Sequence, residues 1–180
     1  MPESVWALKE SGKKNARPNN NIVATCINFL TAFISQIYLM QSDFSPNYLI
    51  EYLNPLRTKS THLKSGNTII TDAPTDNHGR GEAFSPTDLL SSSLVSCIMT
   101  IMGIAADRDG IEIVSMNADV SKEMASNPRM VAAVRAIIDV EIKGSEDDAE
   151  RLKRMGLACP VGRSLSKEVV QDIHFNFNLS

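Results

Sequence analysis

The sequence predicts an α+β domain, and three features carry that expectation. Short β-branched runs between residues 47 and 73 are separated by Asn-Pro and Ser-Gly turns. A Ser-Pro-Thr-Asp start at residue 85 opens a long apolar helical stripe. Two longer strand-like runs flank Ser126-Asn127-Pro128, and a segment after them alternates Phe with Asn. A chain of 180 residues, 43% hydrophobic and 22% charged, is long enough to bury one sizeable core. The net charge of −3 leaves no basic surplus to neutralise a phosphate backbone, so nucleic acid is not an expected partner.

The domain is expected over residues 47–180, behind an extension at 1–46. Residues 1–20 are polar, contain Gly and Pro, lack an apolar period, and read as a flexible tail. Ile22 to Met40 carries no charge and follows Lys13, Lys14 and Arg17, as an anchor or signal sequence would. Asn28 and Gln36 interrupt it, and its length is at the short end of the roughly 17–25 residues that cross a bilayer. A packed helix, or an upstream stretch foreign to the domain with Met40 as an alternative start, is the expectation, with no membrane partner.

Within the domain, YLIEYL, LRTKSTHL and NTIITDA read as three strands of an antiparallel meander, followed by a polar Gly-containing loop over 75–84. Ser85 is placed to cap a helix, with Pro86 at its first position and Asp88 three residues after the cap. Leu90, Leu94, Cys97, Ile101 and Ala105 follow at spacings of four and three, one inward-facing stripe that should end at Asp109-Gly110. IEIVSMNADVS and MVAAVRAIIDVEIKG are two strands of a hairpin. Ser145 with Asp148 repeats the cap pattern and opens a charged helix to about Leu157. Cys159-Pro160 begins a third helix, and Ile173, Phe175, Phe177 and Leu179 mark a half-buried strand.

The chain has three cysteines, Cys26, Cys97 and Cys159, and no C-x-x-C spacing. Neither a secreted disulfide framework nor a structural zinc site is expected, and a reducing cytoplasm fits best. His62, His78 and His174 lack ligand spacing and read as surface residues, so no metal is expected. Cys159 sits at a cap position, where unpaired N–H groups and a helix dipole favour the thiolate; a small residue filling a cap is the plainer reading. Cys97, between Leu94 and Ile101, would by itself be an inert core residue. Arg57, after Asn54-Pro55 at the start of a strand, could lower a thiol pKa or hold a peroxide oxygen, or simply be a solvated turn residue.

SPTDLLSSSLVSCIMTIMGIAA, with Cys97 ten residues after Thr87, resembles the central helix of the OsmC/Ohr family of organic hydroperoxide reductases. CPVGRSL resembles the family's second-cysteine motif, and the resemblance spans about Tyr48 to Ser180. It implies two antiparallel sheets around central helices, an intertwined homodimer with the cysteines near the subunit interface, and a reaction without metal or bound cofactor. Cys97 would attack the peroxide and Cys159 would resolve the sulfenic acid to a disulfide, with Arg57 as the catalytic arginine and a cellular dithiol as reductant. The dipole argument makes Cys159 the more ionised thiol, so the two lines disagree on roles but not on the pair. One departure stands out. The family's peroxidases carry a Glu two residues after the cap that orients the arginine, and this chain has Thr87. Arg57 is thus expected to lack its usual ion-pair partner, with Asp88 and Glu82 as candidate substitutes. The alternatives to a peroxidase are a redox sensor or small-ligand-binding protein with little turnover, and an interaction module docking through 22–40.

Overall fold

The computed structural model describes residues 45–180, so nearly all of the 1–46 extension, including the 22–40 segment and Cys26, lies outside the described residues. Strands β1 (Tyr48–Leu53), β2 (Arg57–His62) and β3 (Thr68–Asp72) form one antiparallel sheet in series, as the turn spacing predicts. The long central helix α1 covers Pro86–Asp109. The second sheet is built from β4 (Glu112–Ser126), β5 (Arg129–Lys143) and β6 (Val170–Leu179), in that order. Helices α2 (Glu146–Leu157) and α3 (Pro160–Ser164) connect β5 to β6.

The ends of α1 follow from its sequence. Ser85 Oγ accepts the Asp88 N–H, Asp88 accepts the Ser85 N–H in return, and Pro86 occupies the first turn. At the other end Gly110 takes the left-handed conformation, φ 70°, and its N–H closes on the last turn. The same reciprocal cap, Ser145 with Asp148, starts α2.

The core lies between α1, α2 and the inner face of the second sheet. In β5 the period is two: Val134, Ala136, Ile138, Val140 and Ile142 are buried, while Arg135, Ile137, Asp139 and Lys143 are exposed. From α1 the fully buried side chains are Leu94, Ile98 and Met102, and Leu152 joins them from α2. Each contributes about 1.5–3 kcal/mol relative to leaving it in water. The expected stripe is therefore rotated. Leu94 and Ala105 are buried, but Leu90, Cys97 and Ile101 are only partly so, because α2 packs on the Ile98–Met102 side and leaves the Cys97 side at the margin. Although α1 is long and apolar enough to cross a bilayer, this packing uses its apolar face as the wall of a core.

Two features differ from the expected pair of antiparallel sheets. First, β5 and β6 run parallel, Ala133 pairing with Val170 and Ile142 with Leu179. The connection carries α2 and α3 over the sheet, which is the crossover length a parallel pairing requires. Second, the β1–β3 sheet makes no sizeable contact with the helices or the other sheet of the same chain. Tyr48, Ile50 and Tyr52 on one side of β1 are 60–63% exposed, as is much of Leu49 on the other.

α1 packs closely on α2 at Gly156, where an added Cβ would lie 2.8 Å from Met102 Cγ and 3.0 Å from Ile98 Cγ2. Gly156→Val should force the helices apart and destabilise the fold by about 1–3 kcal/mol in chemical denaturation. An unchanged midpoint would show that the close approach is dispensable.

Candidate functional site

Cys97 and Cys159 come together although they are on different elements. Cys97 sits mid-helix on α1, half-buried; Cys159 is 1% exposed and caps α3. Its Sγ accepts the Gly162 N–H at 3.2 Å, and the Cys97 side chain lies near enough to act on its ionisation. Both are free thiols. The expected acidic Cys159 is corrected here. Burial pushes its thiol above the ordinary value, the Gly162 and Val161 N–H groups offset only part of that, and Cys97 raises it further. A helix of five residues offers little dipole, and the sulfur it faces is already withdrawn from water. The more accessible Cys97 is thus the thiol an external oxidant meets first.

Arg57 has partners after all. It lies directly opposite Asp72 in the β2–β3 register, and the pair is bidentate: Nε donates to Oδ1 at 2.6 Å and Nη2 to Oδ2 at 2.8 Å. Nη2 also donates to Glu82 Oε2 at 2.9 Å, and the Glu82 N–H donates to Asp72 Oδ2 at 3.0 Å. Asp72 is 1% exposed. The Arg57 hydrogen bonds outweigh its burial and hold its carboxyl below the ordinary range, while the guanidinium becomes more basic in turn. Of the two candidate substitutes for a helix glutamate, Glu82 therefore takes the role and Asp88 does not. Asp88 is committed to the Ser85 cap and to an ion pair with Lys122. The Thr87 hydroxyl hydrogen-bonds to Ser85 Oγ, at 3.0 Å.

Within one chain the structure does not unite all three expected site residues. Arg57 belongs to the sheet that makes no sizeable contact with the helices, and it is not among the groups that chiefly set the ionisation of Cys159. A groove of about 830 Å³ beside α1 is lined by Asp88, Ser92, Val95, Met99 and Lys122. Cys97 is two residues from both Val95 and Met99, about 200° around the helix, so this groove opens on the opposite side from the thiols. The three histidines are dispersed: His62 binds Ser65, His174 binds Asp172 on the outer face of the second sheet, and His78 turns a loop. Sequence reasoning missed Asp72, although counting pairs back from the β2–β3 turn places it opposite Arg57. It also missed Gln171, whose amide reaches Gly162 across the crossover and leaves no local signal.

A family model described as OsmC-like protein matches residues 79–174, which include both cysteines. Among solved structures, a provisionally named osmotic stress induced and detoxification response protein from Psychrobacter arcticus 273-4 is 40% identical. That match covers 74% of this chain and 98% of the other, with a TM-score of 0.71. Two more distant structures share the fold. One is an organic hydroperoxide resistance protein OsmC from Legionella pneumophila, at 13% identity, covering 74% and 99% of the two chains, TM-score 0.56. The other is the organic hydroperoxide resistance protein OhrB of Bacillus subtilis, at 14% identity, covering 74% and 98%, TM-score 0.51. No curated protein matches the chain.

The Arg57–Asp72 pair carries a pH signature. A carboxyl whose folded pKa is depressed stabilises the fold fully above its unfolded value of about 3.9 and loses that contribution as pH falls through the folded value. Asp72→Asn should lower the thermal midpoint at pH 7, and the gap to wild type should close as the solution is acidified below the ordinary carboxylate range. A gap that stays constant with pH would mean that the charge of Asp72 is not what stabilises the sheet.

Proposed function

The chain belongs to the OsmC-like protein family, and on that premise we propose that it reduces organic hydroperoxides with Cys97 and Cys159 and without a metal or bound cofactor. The observation that carries this reading is the proximity of two free thiols of unequal burial, packed in one cluster. Cys97 attacks the outer peroxide oxygen, the O–O bond breaks, and an alcohol leaves while Cys97 becomes a sulfenic acid. Cys159, close by and shielded, attacks the sulfenic sulfur; a disulfide forms and water leaves. A cellular dithiol returns the pair to thiols, in a reducing cytoplasmic setting.

The active assembly in this proposal is a homodimer. The β1–β3 sheet leaves Tyr48, Ile50, Tyr52 and Ile69 in the open on one face, an apolar surface beside an uncovered edge strand of the kind an interface covers. A second copy covers it most simply, since both copies bear the same surface. Dimerisation also gives Arg57 a thiol site to serve. Its Nη1 has no partner among the described residues and can donate to a peroxide oxygen.

One observation favours the redox-sensing alternative. Asp72 and Glu82 already engage two of the three Arg57 nitrogens, which leaves less of the guanidinium to stabilise a thiolate or align a peroxide, so oxidation could be recorded without rapid turnover.

One equivalent of cumene hydroperoxide should convert the protein to an intrachain Cys97–Cys159 disulfide by peptide mapping, and a dithiol should support turnover. Oxidation confined to Cys26, or direct formation of sulfonic acids, would refute the two-thiol reaction; disulfide formation without turnover would favour the sensor. Because Asp72 and Glu82 already anchor Arg57, Thr87→Glu should change the peroxidase rate by less than about twofold, a small fraction of a kcal/mol in barrier. A tenfold gain would show that the anchor is inadequate.

Sedimentation at low micromolar concentration should give one species of twice the 19.7 kDa chain mass. A folded monomer with unchanged thiol reactivity would remove the dimer from the proposal.

A further inference from the structure

The turn that holds Cys159 is itself held from another strand. The Gly162 N–H donates to Cys159 Sγ at 3.2 Å, and the Gly162 carbonyl accepts from Gln171 Nε2 at 2.9 Å. Gln171 pairs with the fully buried Val134 near the start of β6, so its backbone is fixed by the sheet. It shares the inward face of β6 with Ile173, Phe175 and Phe177, a polar residue at the head of an apolar row. A Cβ at Gly162 would lie 2.7 Å from Gln171 Oε1, 3.3 Å from Leu94 Cδ1 and 3.4 Å from Cys159 Sγ. Only a residue without a side chain lets the amide, the central helix and the thiol meet there.

We propose that Gln171 is a positioning residue for the resolving thiol: by fixing the Gly162 peptide it fixes the direction from which the Cys159 sulfur meets an oxidised Cys97. The inference rests on the two-thiol reading and adds a residue that acts in one step only. In the first step the hydroperoxide takes two electrons from Cys97, leaving alcohol and a Cys97 sulfenic acid; Cys159 takes no part. In the second, an S–S bond forms, the S–O bond of the sulfenic acid breaks, and its hydroxyl leaves as water with the Cys159 thiol proton. Freeing the Gly162 peptide widens the range of Sγ positions and slows the second step alone.

The test separates the two steps in the full chain. Gln171→Met keeps the length and removes the donor, and Gln171→Glu keeps the shape but sets a carboxylate against the Gly162 carbonyl. The Gln171 side chain is largely exposed, so both variants should fold, which circular dichroism checks. After one equivalent of cumene hydroperoxide, Cys97 oxidation should proceed at the wild-type rate in both. The dimedone-trapped sulfenic acid should persist about tenfold longer, the effect of one lost hydrogen bond. Excess peroxide should then drive more Cys97 to sulfinic acid. Variants that close the disulfide as fast as wild type would overturn the role of Gln171, and equal slowing of both steps would reduce it to a structural one. A wild type that forms neither sulfenic acid nor disulfide would overturn the two-thiol reading itself, and this inference with it.

Discussion

The phase of one helix governs this molecule. α1 turns about 100° per residue, so once Leu94, Ile98 and Met102 are driven into the core by apolar burial, the direction of every other side chain on the helix is set. Cys97 falls at the edge of that buried arc, close enough to the interior to reach Cys159 and open enough to meet solvent. One position earlier it would be exposed like Ser96, and one position later buried like Ile98. The reciprocal Ser85–Asp88 cap matters for the same reason: it sets where the helix begins and thereby the register of the thiol against α3.

The legible parts of the fold were those written in local chemistry. Both helix starts follow from Ser and Asp three residues apart, and the hairpin around Asn127-Pro128 and the β1–β3 meander follow from strand runs and turn residues. The parallel pairing of β6 was not legible, because Ile173 to Leu179 alternates in the same way whichever direction its neighbour runs. The rotation of the α1 stripe escaped for a related reason. Periodicity identifies an apolar arc, whereas α2 and β5 decide which part of it is deepest.

The candidate site shows the same division. The two cysteines were recognisable from their motifs, and their proximity required the fold. A cap position favours the Cys159 thiolate in sequence, but burial, which the cap does not reveal, raises its pKa; a withdrawn sulfur responds more to the loss of water than to two N–H groups. For Arg57 the sequence offers Glu82 as a substitute for the absent helix glutamate, and Glu82 does pair with it, but the closer partner Asp72 comes from across the hairpin, where only strand register shows it. A carboxylate delivered by strand pairing and another from the loop replace one delivered by helix phase.

The parallel strand has a consequence for how the protein comes into being. Contacts within the β4–β5 hairpin and along α1 join near neighbours in sequence and can form as soon as those segments exist. The seam between β5 and β6, in which Ala133 must find Val170, closes a long loop and belongs to the slow, high-contact-order part of folding. Because Gln171 lies in that seam, Cys159 passes through a period in which its neighbourhood is half assembled. Cys97 is thus carried on a helix that can form early, while the turn around Cys159 waits for the last strand to arrive.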